Sequence, residues 1–480
     1  MARRGTMERA RRWWPDGGWP VARARLVVGA RRVGSALVGL ALVAVMIGSG
    51  WSSLRIAQAG FGPHDVQSLL TDQLHRLEPY TNSAAPEVVT SPDPRSALLE
   101  MALTGLATSG DDSRPAAVRL PLVRAYLQRF DEPDLRTKIG GAITPNGGVF
   151  LQAWGLLLAD EVARLSGSQE DRDAVRRRAL PLLAELRAAP GGVLRSGPGL
   201  IFPADTVVLA GALHRADVVA GVPDAGTVIA EWVRRIEPLR DPGTRLLPHR
   251  LSEDGKVVDG PRASSSAVTQ IFWPSIDQAT SSRDWVAFEN TFLCPRLGLV
   301  AVCEYPGGED GMGEHGPLVA GVSPAATLLT FVAARTHGSA ELADQISREA
   351  TLVLGPVLGE DGDSLSRQQA LHEAMLAWGR ALPVGAELPG VDDRDAVPWL
   401  AWCLGALIPG VLALGALTWR FVGRRRRVSG PLELDAVPPD SPSPWDFGGH
   451  GRENHTFDDS SSPHARRLEG PTQGILRPGS

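Results

Sequence analysis

The stretch Glu304–Arg335, EYPGGEDGMGEHGPLVAGVSPAATLLTFVAAR, organises the rest of the chain. A glycine-rich acidic loop in its first half runs directly into an apolar segment of small residues. The apolar residues of its second half recur at the i, i+3 and i+4 spacing of an α-helix. The stretch therefore predicts a helix at Pro317–His337, entered from a loop that carries two chemically useful side chains, Glu314 and His315.

The same arrangement of a Gly- or Pro-rich loop before a helix recurs along the central part of the chain. Helices with nearly uncharged bodies are predicted to begin near residues 148, 203 and 317, and charged amphipathic helices near 171, 224 and 340. This alternation is typical of helical hairpins in which the apolar helices form an inner layer. We therefore predict an all-α fold, an (α/α) toroid of about six helical hairpins flanked by two transmembrane helices. An open helical solenoid is the alternative.

The predicted helices have bounds that the structure tests. They are Phe61–Leu77, Ser96–Thr108, Ala117–Arg129, Gly148–Leu165, Asp171–Ala188, Pro203–Ala220, Asp224–Ile236, Ser264–Ala279, Trp285–Cys303, Pro317–His337, Ala340–Leu354 and Ser364–Ala381. Strand-type alternation is nearly missing from the sequence, with Lys256–Val258 as one short candidate strand.

Two apolar segments predict transmembrane helices. Val33–Gly50 is uncharged, and Trp399–Val422 is interrupted only by Pro409 and Arg420. The first segment is interpreted as an uncleaved anchor. A signal peptide cleaved after the small residues Ala57–Ala59 is the alternative.

Basic residues predict the orientation of both segments. Four arginines precede the first segment, and Arg424–Arg427 directly follows the second. The positive-inside rule places such flanks in the cytoplasm, so both termini are predicted to be cytoplasmic and residues 52–397 to lie outside the cytoplasmic membrane. The predicted division is a disordered basic arm at 1–32, a transmembrane helix at 33–51, a membrane-proximal helix and linker at 52–94, the toroid at 95–397, a second transmembrane helix at 398–422 and a disordered cytoplasmic tail at 423–480.

The charge balance limits the partners of the central part. Residues 51–397 contain 31 basic and 44 acidic side chains, a formal charge of −13. Nucleic-acid backbones bind cationic surfaces, so nucleic acid is excluded as a partner. The predicted partners are the membrane lipid bilayer and a carbohydrate or lipid-like ligand, and the sequence identifies no partner for the cytoplasmic tail.

Two of the three cysteines, Cys294 and Cys303, lie in the central part. If the chain between them were helical, their Cα atoms would be roughly 13 Å apart, beyond the ~7 Å limit for a disulfide. We therefore predict that both side chains pack as small buried residues. A disulfide, which requires an intervening turn, is the alternative.

Polar side chains lie just before or within the first turns of the predicted inner helices. Asp205, Glu314 and His315 are predicted to be catalytic, because two carboxylates in different environments can divide into an acid and a base. Glycosidases use such a pair. The alternative is that these acidic residues cap helix N-termini. The residues predicted to bind a substrate in the same cavity are Asn146, Trp154, His249, Trp273 and Asp277.

The sequence predicts no metal site and identifies no cofactor. It contains neither HExxH nor CxxC, the spacings of common zinc sites. The loop Gly307–Gly313 lacks the preceding strand and the following lysine of a phosphate-binding loop. Acidic residues between Glu304 and Glu314 offer oxygen ligands for Ca²⁺, but their spacing differs from that of an EF-hand.

Two segments carry a family resemblance. FPADTVVLAGAL at 202–213 and the stretch Glu304–Arg335 resemble parts of uncharacterised bacterial membrane-bound α/α-toroid proteins, and more distantly the linalool dehydratase/isomerase family and six-hairpin glycosidase-type toroids. The resemblance implies a toroid over about Ser96–Leu382. The Asp-Ser-Gly-Pro turn of those relatives reads Glu-His-Gly-Pro at 314–317 here. The cysteine on which the dehydratase chemistry depends has no counterpart near Phe202–Asp205.

Two functional hypotheses follow. The first is an envelope enzyme, a lyase or hydrolase that acts on a carbohydrate or lipid-like substrate by carboxylate acid/base chemistry. The second is a non-catalytic binding or scaffolding protein of the cell envelope, which the altered turn and the missing cysteine favour. A third hypothesis, independent of these two, is that the tail recruits a cytoplasmic partner.

Overall fold

The chain is all-α wherever the computed structural model describes it, as the sequence predicts. The described residues are 19–62, 65–84, 93–140, 145, 147–296, 298–309, 311–313, 316–354, 366–385 and 398–428. Residues 1–18 of the predicted arm at 1–32 and residues 429–480 of the predicted tail at 423–480 lie outside them. Residues 19–32 belong to a helix, and so do residues 423–428. Described residues up to Arg420 belong to one compact unit, and Phe421–Val428 belongs to a second.

Fifteen α-helices, three 3-10 helices of one turn each and two short antiparallel hairpins make up the regular structure of the described residues. The helices are α1 (Trp19–Phe61), α2 (Val66–Ala84), α3 (Pro94–Ser109), α4 (Ala116–Phe130), α5 (Pro133–Gly140), α6 (Gly148–Ser166), α7 (Gln169–Ala188), α8 (Pro203–Ala220), α9 (Ala225–Ile236), α10 (Ala263–Ile276), α11 (Gln278–Phe292), α12 (Pro324–Thr336), α13 (Ala340–Leu354), α14 (Arg367–Ala381) and α15 (Trp399–Val428). The strands are β1 (Arg250–Leu251), paired with β2 (Val257–Asp259), and β3 (Met312–Gly313), paired with β4 (Gly316–Pro317).

Six of the helices, α3, α6, α8, α10, α12 and α14, are buried along most of their length. Each packs against the next one in chain order, and α14 packs against α3, so the order of contacts closes on itself. The amphipathic helices α4, α7, α9, α11 and α13 each cover one or two of the six. A toroid of six hairpins requires that the inner helices contact one another in such a closed order. We therefore propose the toroid.

The bounds of α8 follow from its local sequence and match the prediction. Pro203 occupies the first helical position, where a missing N–H costs nothing. The helix ends at Gly221, which has φ of 66° and whose N–H donates to the Asp217 carbonyl at 2.8 Å. A glycine in the left-handed region is the usual end of a helix.

The prediction that Pro317 opens an inner helix is wrong. Gly316–Pro317 forms β4, and α12 begins only at Pro324. Gly316 and Gly321 have φ of 131° and 78°, backbone conformations that interrupt a helix. Ser323 then caps α12 by accepting a hydrogen bond from the Ala326 N–H at 3.2 Å.

The predicted helix Trp285–Cys303 is also wrong, because α11 ends at Phe292 and the chain then folds back on itself. Cys294 and Cys303 are joined by a disulfide with Cα atoms 5.8 Å apart, so the expectation that they pack separately is corrected. That expectation assumed a helix between them, whereas the Cys294 N–H donates to the Ala301 carbonyl at 2.9 Å across a turn. We call residues 293–304 the disulfide hairpin.

Helices α1 and α15 are long and apolar enough to span a membrane, and we call them the span helices. Val33–Phe61 has 29 residues with mean hydropathy 2.0, and Trp399–Val422 has 24 residues with mean hydropathy 2.1. The two helices pack together, and the Ser53 hydroxyl donates to the Cys403 carbonyl at 3.0 Å. The first apolar segment therefore belongs to a helix much longer than Val33–Gly50.

A second polar contact between the span helices lies beside Pro409. The hydroxyl of Ser49 donates to the Ala406 carbonyl and accepts a hydrogen bond from the Gly410 N–H at 3.1 Å. It therefore stands between a donor and an acceptor that an undistorted helix would pair with each other. Neighbouring hydroxyl groups commonly satisfy backbone groups that a proline displaces in an apolar helix.

Helix α1 continues beyond the apolar segment and docks on α13. Arg348 donates to the carbonyls of Ala59 and Gly60, each at 3.3 Å, and Arg55 donates to the Leu352 carbonyl at 2.8 Å. The helical domain is therefore joined to α1 by side-chain contacts as well as by the chain itself.

Candidate functional site

A small cavity of about 50 Å³ opens at the N-terminal ends of α3, α6, α8 and α10. Each of these helices lines it with side chains from its first two turns. The first-turn residues include Arg95, Phe150, Asp205 and Ser264, and the residues one turn further in are Leu99, Trp154 and Val268. Helix N-termini carry unpaired N–H groups and a partial positive charge, so the fold concentrates polar character at this cavity.

An ion pair between Arg95 and Asp205 forms the centre of the site. The guanidinium Nη2 lies 2.9 Å from the Asp205 carboxylate, with side-chain exposures of 23% and 11%. The guanidinium carbon also lies 4.2 Å from the ring centroid of Phe150 and 5.1 Å from that of Phe202. Two aromatic rings and a carboxylate thus fix the orientation of Arg95, while a quarter of its side chain faces solvent.

Three aromatic rings form a cluster that includes Trp154, a residue of the cavity wall. Trp154 from α6, Phe272 from α10 and Trp378 from α14 lie with ring centroids 5.7–6.2 Å apart. Trp154 meets both of its partners edge to face, a favourable geometry for aromatic pairs. The cluster joins three of the six buried helices, and Trp154 also contributes its ring to the cavity wall.

A second carboxylate lies next to the cavity wall. The Ser264 hydroxyl donates to Glu304 Oε1 at 2.5 Å, and Glu304 is fully buried. The backbone of Glu304 is also fixed, because its carbonyl accepts from the Ala263 N–H at 2.9 Å and its N–H donates to the Gly321 carbonyl at 3.1 Å. Glu304 therefore ties the end of the disulfide hairpin to the beginning of α10.

The structure brings three of the predicted site residues together at the cavity. Asp205 of α8 and Trp154 of α6 line it, and so does His249, the residue that precedes β1. The imidazole of His249 lies 5.1 Å from the Phe202 ring, centroid to centroid. These residues come from three separate segments of the chain.

The other predicted site residues are placed differently. Trp273 is fully buried and stacks on Trp232 at 5.8 Å, away from the cavity lining. Asp277 caps α11 by accepting from the Ala279 N–H at 3.0 Å, the capping role that was the alternative for acidic residues. Asn146, Glu314 and His315 lie outside the described residues, so the structure locates one member of the predicted carboxylate pair.

Sequence reasoning missed Arg95, Phe150 and Phe202 as site residues. Arg95 follows the helix-opening Pro94, and in sequence it resembles any arginine at a helix start. Phe202 lies in the quoted segment 202–213, three residues before Asp205. This closeness in sequence was the signal that could have identified it as a site residue. Ser264, where the predicted helix Ser264–Ala279 begins, lies inside the first turn of α10 and donates to Glu304.

Several carboxyl and imidazole groups away from the cavity have shifted pKa values. Burial raises the pKa of Asp160 well above its usual range and that of Glu349 to about 7. Burial would also raise the pKa of Glu161, but Arg215, Arg164 and Ser109 outweigh it and lower that pKa. Burial lowers the pKa of His337 to about 4.

A larger groove of about 620 Å³ lies on the other side of the segments that carry Phe202 and His249. It runs between the loop after α7 and the turn that joins β1 to β2, with Ile201 and Leu251 in its floor. No residue predicted from the sequence lines it. Glu185 and Ala188 at the end of α7 also line it, and we assign it no role.

Within the described part of the chain, no group of three or more His, Cys, Asp or Glu side chains is arranged to hold a metal ion. No protein-family model matches the chain, and no curated protein matches it. The resemblance to α/α-toroid families therefore remains a prediction from two sequence segments, and the function must be argued from the cavity.

Proposed function

We propose that the chain is a membrane-anchored cell-envelope protein whose helical domain lies outside the cytoplasm and binds a carbohydrate in the cavity at Arg95 and Asp205. The ion pair held between Phe150 and Phe202 carries this proposal. Planar charged groups bind sugar hydroxyls through paired hydrogen bonds, and aromatic rings pack on the apolar face of a sugar. A lipid-like ligand is the alternative that the binding experiment separates.

Three observations support the proposed placement outside the cytoplasm. The span helices have the length and hydropathy of membrane spans. Basic residues precede the first apolar segment and follow the second, at the ends nearest the chain termini. The Cys294–Cys303 disulfide lies between them in the chain, and disulfides persist in oxidising compartments rather than in the cytoplasm.

Binding is better supported than catalysis. Asp205 is engaged by Arg95, and an ionised carboxylate accepts hydrogen bonds but donates none. The cavity of about 50 Å³ is far smaller than the roughly 300–1,000 Å³ of sites that enclose a whole ligand. It therefore suits contact with one end of a ligand.

An envelope hydrolase is the second candidate, because a second carboxylate lies beside the cavity. Glu304 accepts a hydrogen bond from Ser264, which lines the cavity wall. Asp205→Asn and Glu304→Gln should then each abolish turnover of an oligosaccharide. Unchanged turnover in either variant would remove that carboxylate from the mechanism.

The binding proposal is tested with the full chain in lipid nanodiscs, titrated calorimetrically with trehalose, maltotriose and diacetylchitobiose. Arg95→Ala and Asp205→Asn should each weaken the binding of the preferred sugar at least tenfold. The matched controls are Arg187→Ala and Asp224→Asn, which alter an ion pair with side-chain exposures of 55% and 71%. These controls should bind like the wild type.

Two results would contradict the proposal. Equal affinity in the cavity variants and the wild type would place the sugar site elsewhere. No sugar binding, combined with binding of short-chain lipids that requires Arg95, would make the ligand lipid-like.

A further inference from the structure

The disulfide hairpin contacts a span helix at one end and the cavity wall at the other. Gly298 at its turn packs on the start of α15, because a Cβ placed there would lie 3.1 Å from Pro398 Cδ and 3.7 Å from Trp402 Nε1. At the opposite end, Glu304 accepts the hydrogen bond from Ser264. One short segment therefore touches both parts of the molecule.

The middle of the disulfide hairpin is held by the helix that docks α1. The Val300 N–H donates to Glu349 Oε1 at 2.9 Å, and Glu349 belongs to α13. One residue earlier in α13, Arg348 binds the carbonyls of Ala59 and Gly60 near the end of α1. Both span helices thus reach the disulfide hairpin, α15 directly and α1 through α13.

The geometry of the hairpin suits it to move as one body. The disulfide closes it covalently, and Arg296 pairs with Leu299 inside the closed loop. Cys303 is buried, and its N–H donates to the Phe292 carbonyl at 2.9 Å. Tightly packed segments tend to shift as units rather than to deform continuously.

We propose that the disulfide hairpin couples the cavity to the span helices, with Glu304 as the positioning residue that transmits a shift of the hairpin to the first turn of α10. Coupling between two sites is reciprocal, so a change at either end alters the other. The biological role of this coupling rests on the proposed sugar site. The coupling itself is measured on the ligand-free protein.

The first half of the test disturbs the membrane end of the hairpin. The full chain in lipid nanodiscs is studied by hydrogen–deuterium exchange with Trp402→Ala, and with Trp402→Phe as the milder variant if the first fails to fold. The Ala263 amide, which donates to the Glu304 carbonyl, should exchange at least fivefold faster than in the wild type. Residues 148–154 of α6 should keep their wild-type rates.

A matched control lies on the same helix. Trp419 is 83% exposed on α15, so Trp419→Ala removes an equal side chain without touching the disulfide hairpin. This variant should leave exchange at Ala263 unchanged. Equal acceleration in both tryptophan variants would show general loosening of the protein and would overturn the proposal.

The second half of the test disturbs the cavity end. Ser264→Ala removes the hydroxyl that binds Glu304, and the Val300 amide and the first turn of α15 should then exchange at least threefold faster. The proposal is overturned if each variant accelerates exchange only at its own end of the hairpin. Failure of sugar binding would refute the proposed function and would not affect the exchange results. Failure of the exchange test would refute the coupling and would not affect the sugar-binding result.

Discussion

Glu349 combines burial with a structural hydrogen bond at the junction between α13 and the disulfide hairpin. Its side chain is buried, and burial raises its pKa from 4.5 to about 7, although the hydrogen bond from Val300 lowers it. The charged groups nearby on α13 and α1 are engaged elsewhere, since Arg348 binds α1 carbonyls and Arg55 binds the Leu352 carbonyl. The carboxyl therefore titrates close to neutral pH.

This shifted pKa predicts a pH-dependent stability. Between pH 4.5 and about 7 the folded protein retains a proton on Glu349 that the unfolded chain has released, so stability falls as pH rises through this window. Glu349→Gln has no such proton. At pH 8 we expect the variant to be more stable than the wild type by roughly 2–4 kcal/mol, and at pH 4 the difference should vanish. Denaturant unfolding at both pH values measures it, and parallel pH profiles of the two proteins would contradict it.

Single residues also show what a sequence can and cannot reveal about a site. Asp205 was predictable because it follows Pro203 in the first turn of a helix whose bounds were clear. Arg95 was not, because its role depends on contact with Phe150 and Phe202, residues far away in the chain. Such contacts exist only once α3, α6 and α8 have packed together.

At the scale of elements, the close approach of α8 and α10 depends on Gly211. A Cβ at this position would lie 2.5 Å from Phe272 Cδ1, so the Phe272 ring, which packs against Trp154 of the cavity wall, would have to move. Overpacking costs about 1–3 kcal/mol, which exceeds the gain of up to ~1 kcal/mol from alanine in a helix. Gly211→Ala should therefore lower the free energy of unfolding and reduce the near-ultraviolet circular dichroism of the aromatic cluster.

A second helical glycine provides the control for this prediction. Gly226 in α9 has open space where a Cβ would be added. Gly226→Ala should leave stability unchanged or raise it by a few tenths of a kcal/mol, up to ~1. If both variants behave alike in denaturant unfolding, helix packing at Gly211 is not the cause.

The elements also divide by how local their determinants are. Helix α8 was predicted with correct bounds because Pro203 and Gly221 mark its two ends within its own sequence. The start of α12 was missed because the apolar pattern continues across Gly316 and Gly321, whose backbone conformations stop the helix. The disulfide hairpin was only the alternative to a helix, because the turn that brings Cys294 and Cys303 together has no clear signal in the sequence between them.

At the scale of the whole molecule, the proposed topology predicts which surface faces the outside of the cell. Glu253 lies exposed in the turn between β1 and β2, within the part proposed to be extracytoplasmic. Glu253→Cys should react with a membrane-impermeant maleimide in intact cells. The wild type should not react, because Cys403 is buried and the other two cysteines are bonded.

The outcome that would contradict this topology is labelling of Glu253→Cys only after the cells are lysed. Mass spectrometry of unreduced peptides from the same preparation should recover Cys294 linked to Cys303. A fully reduced pair in protein from intact cells would argue for a cytoplasmic domain.

The uninterrupted course of α1 has a geometric consequence. The 29 residues of Val33–Phe61 extend about 43 Å at 1.5 Å per residue, whereas the hydrocarbon core of a bilayer is about 30 Å thick. In the proposed orientation, two turns or more of the helix rise above the lipid before Arg348 clasps its end. The length of this helix is therefore greater than the thickness of the hydrocarbon core. Under the proposed topology and function, this length would set the height of the domain above the bilayer, so the cavity would meet its ligand at one distance from the membrane surface.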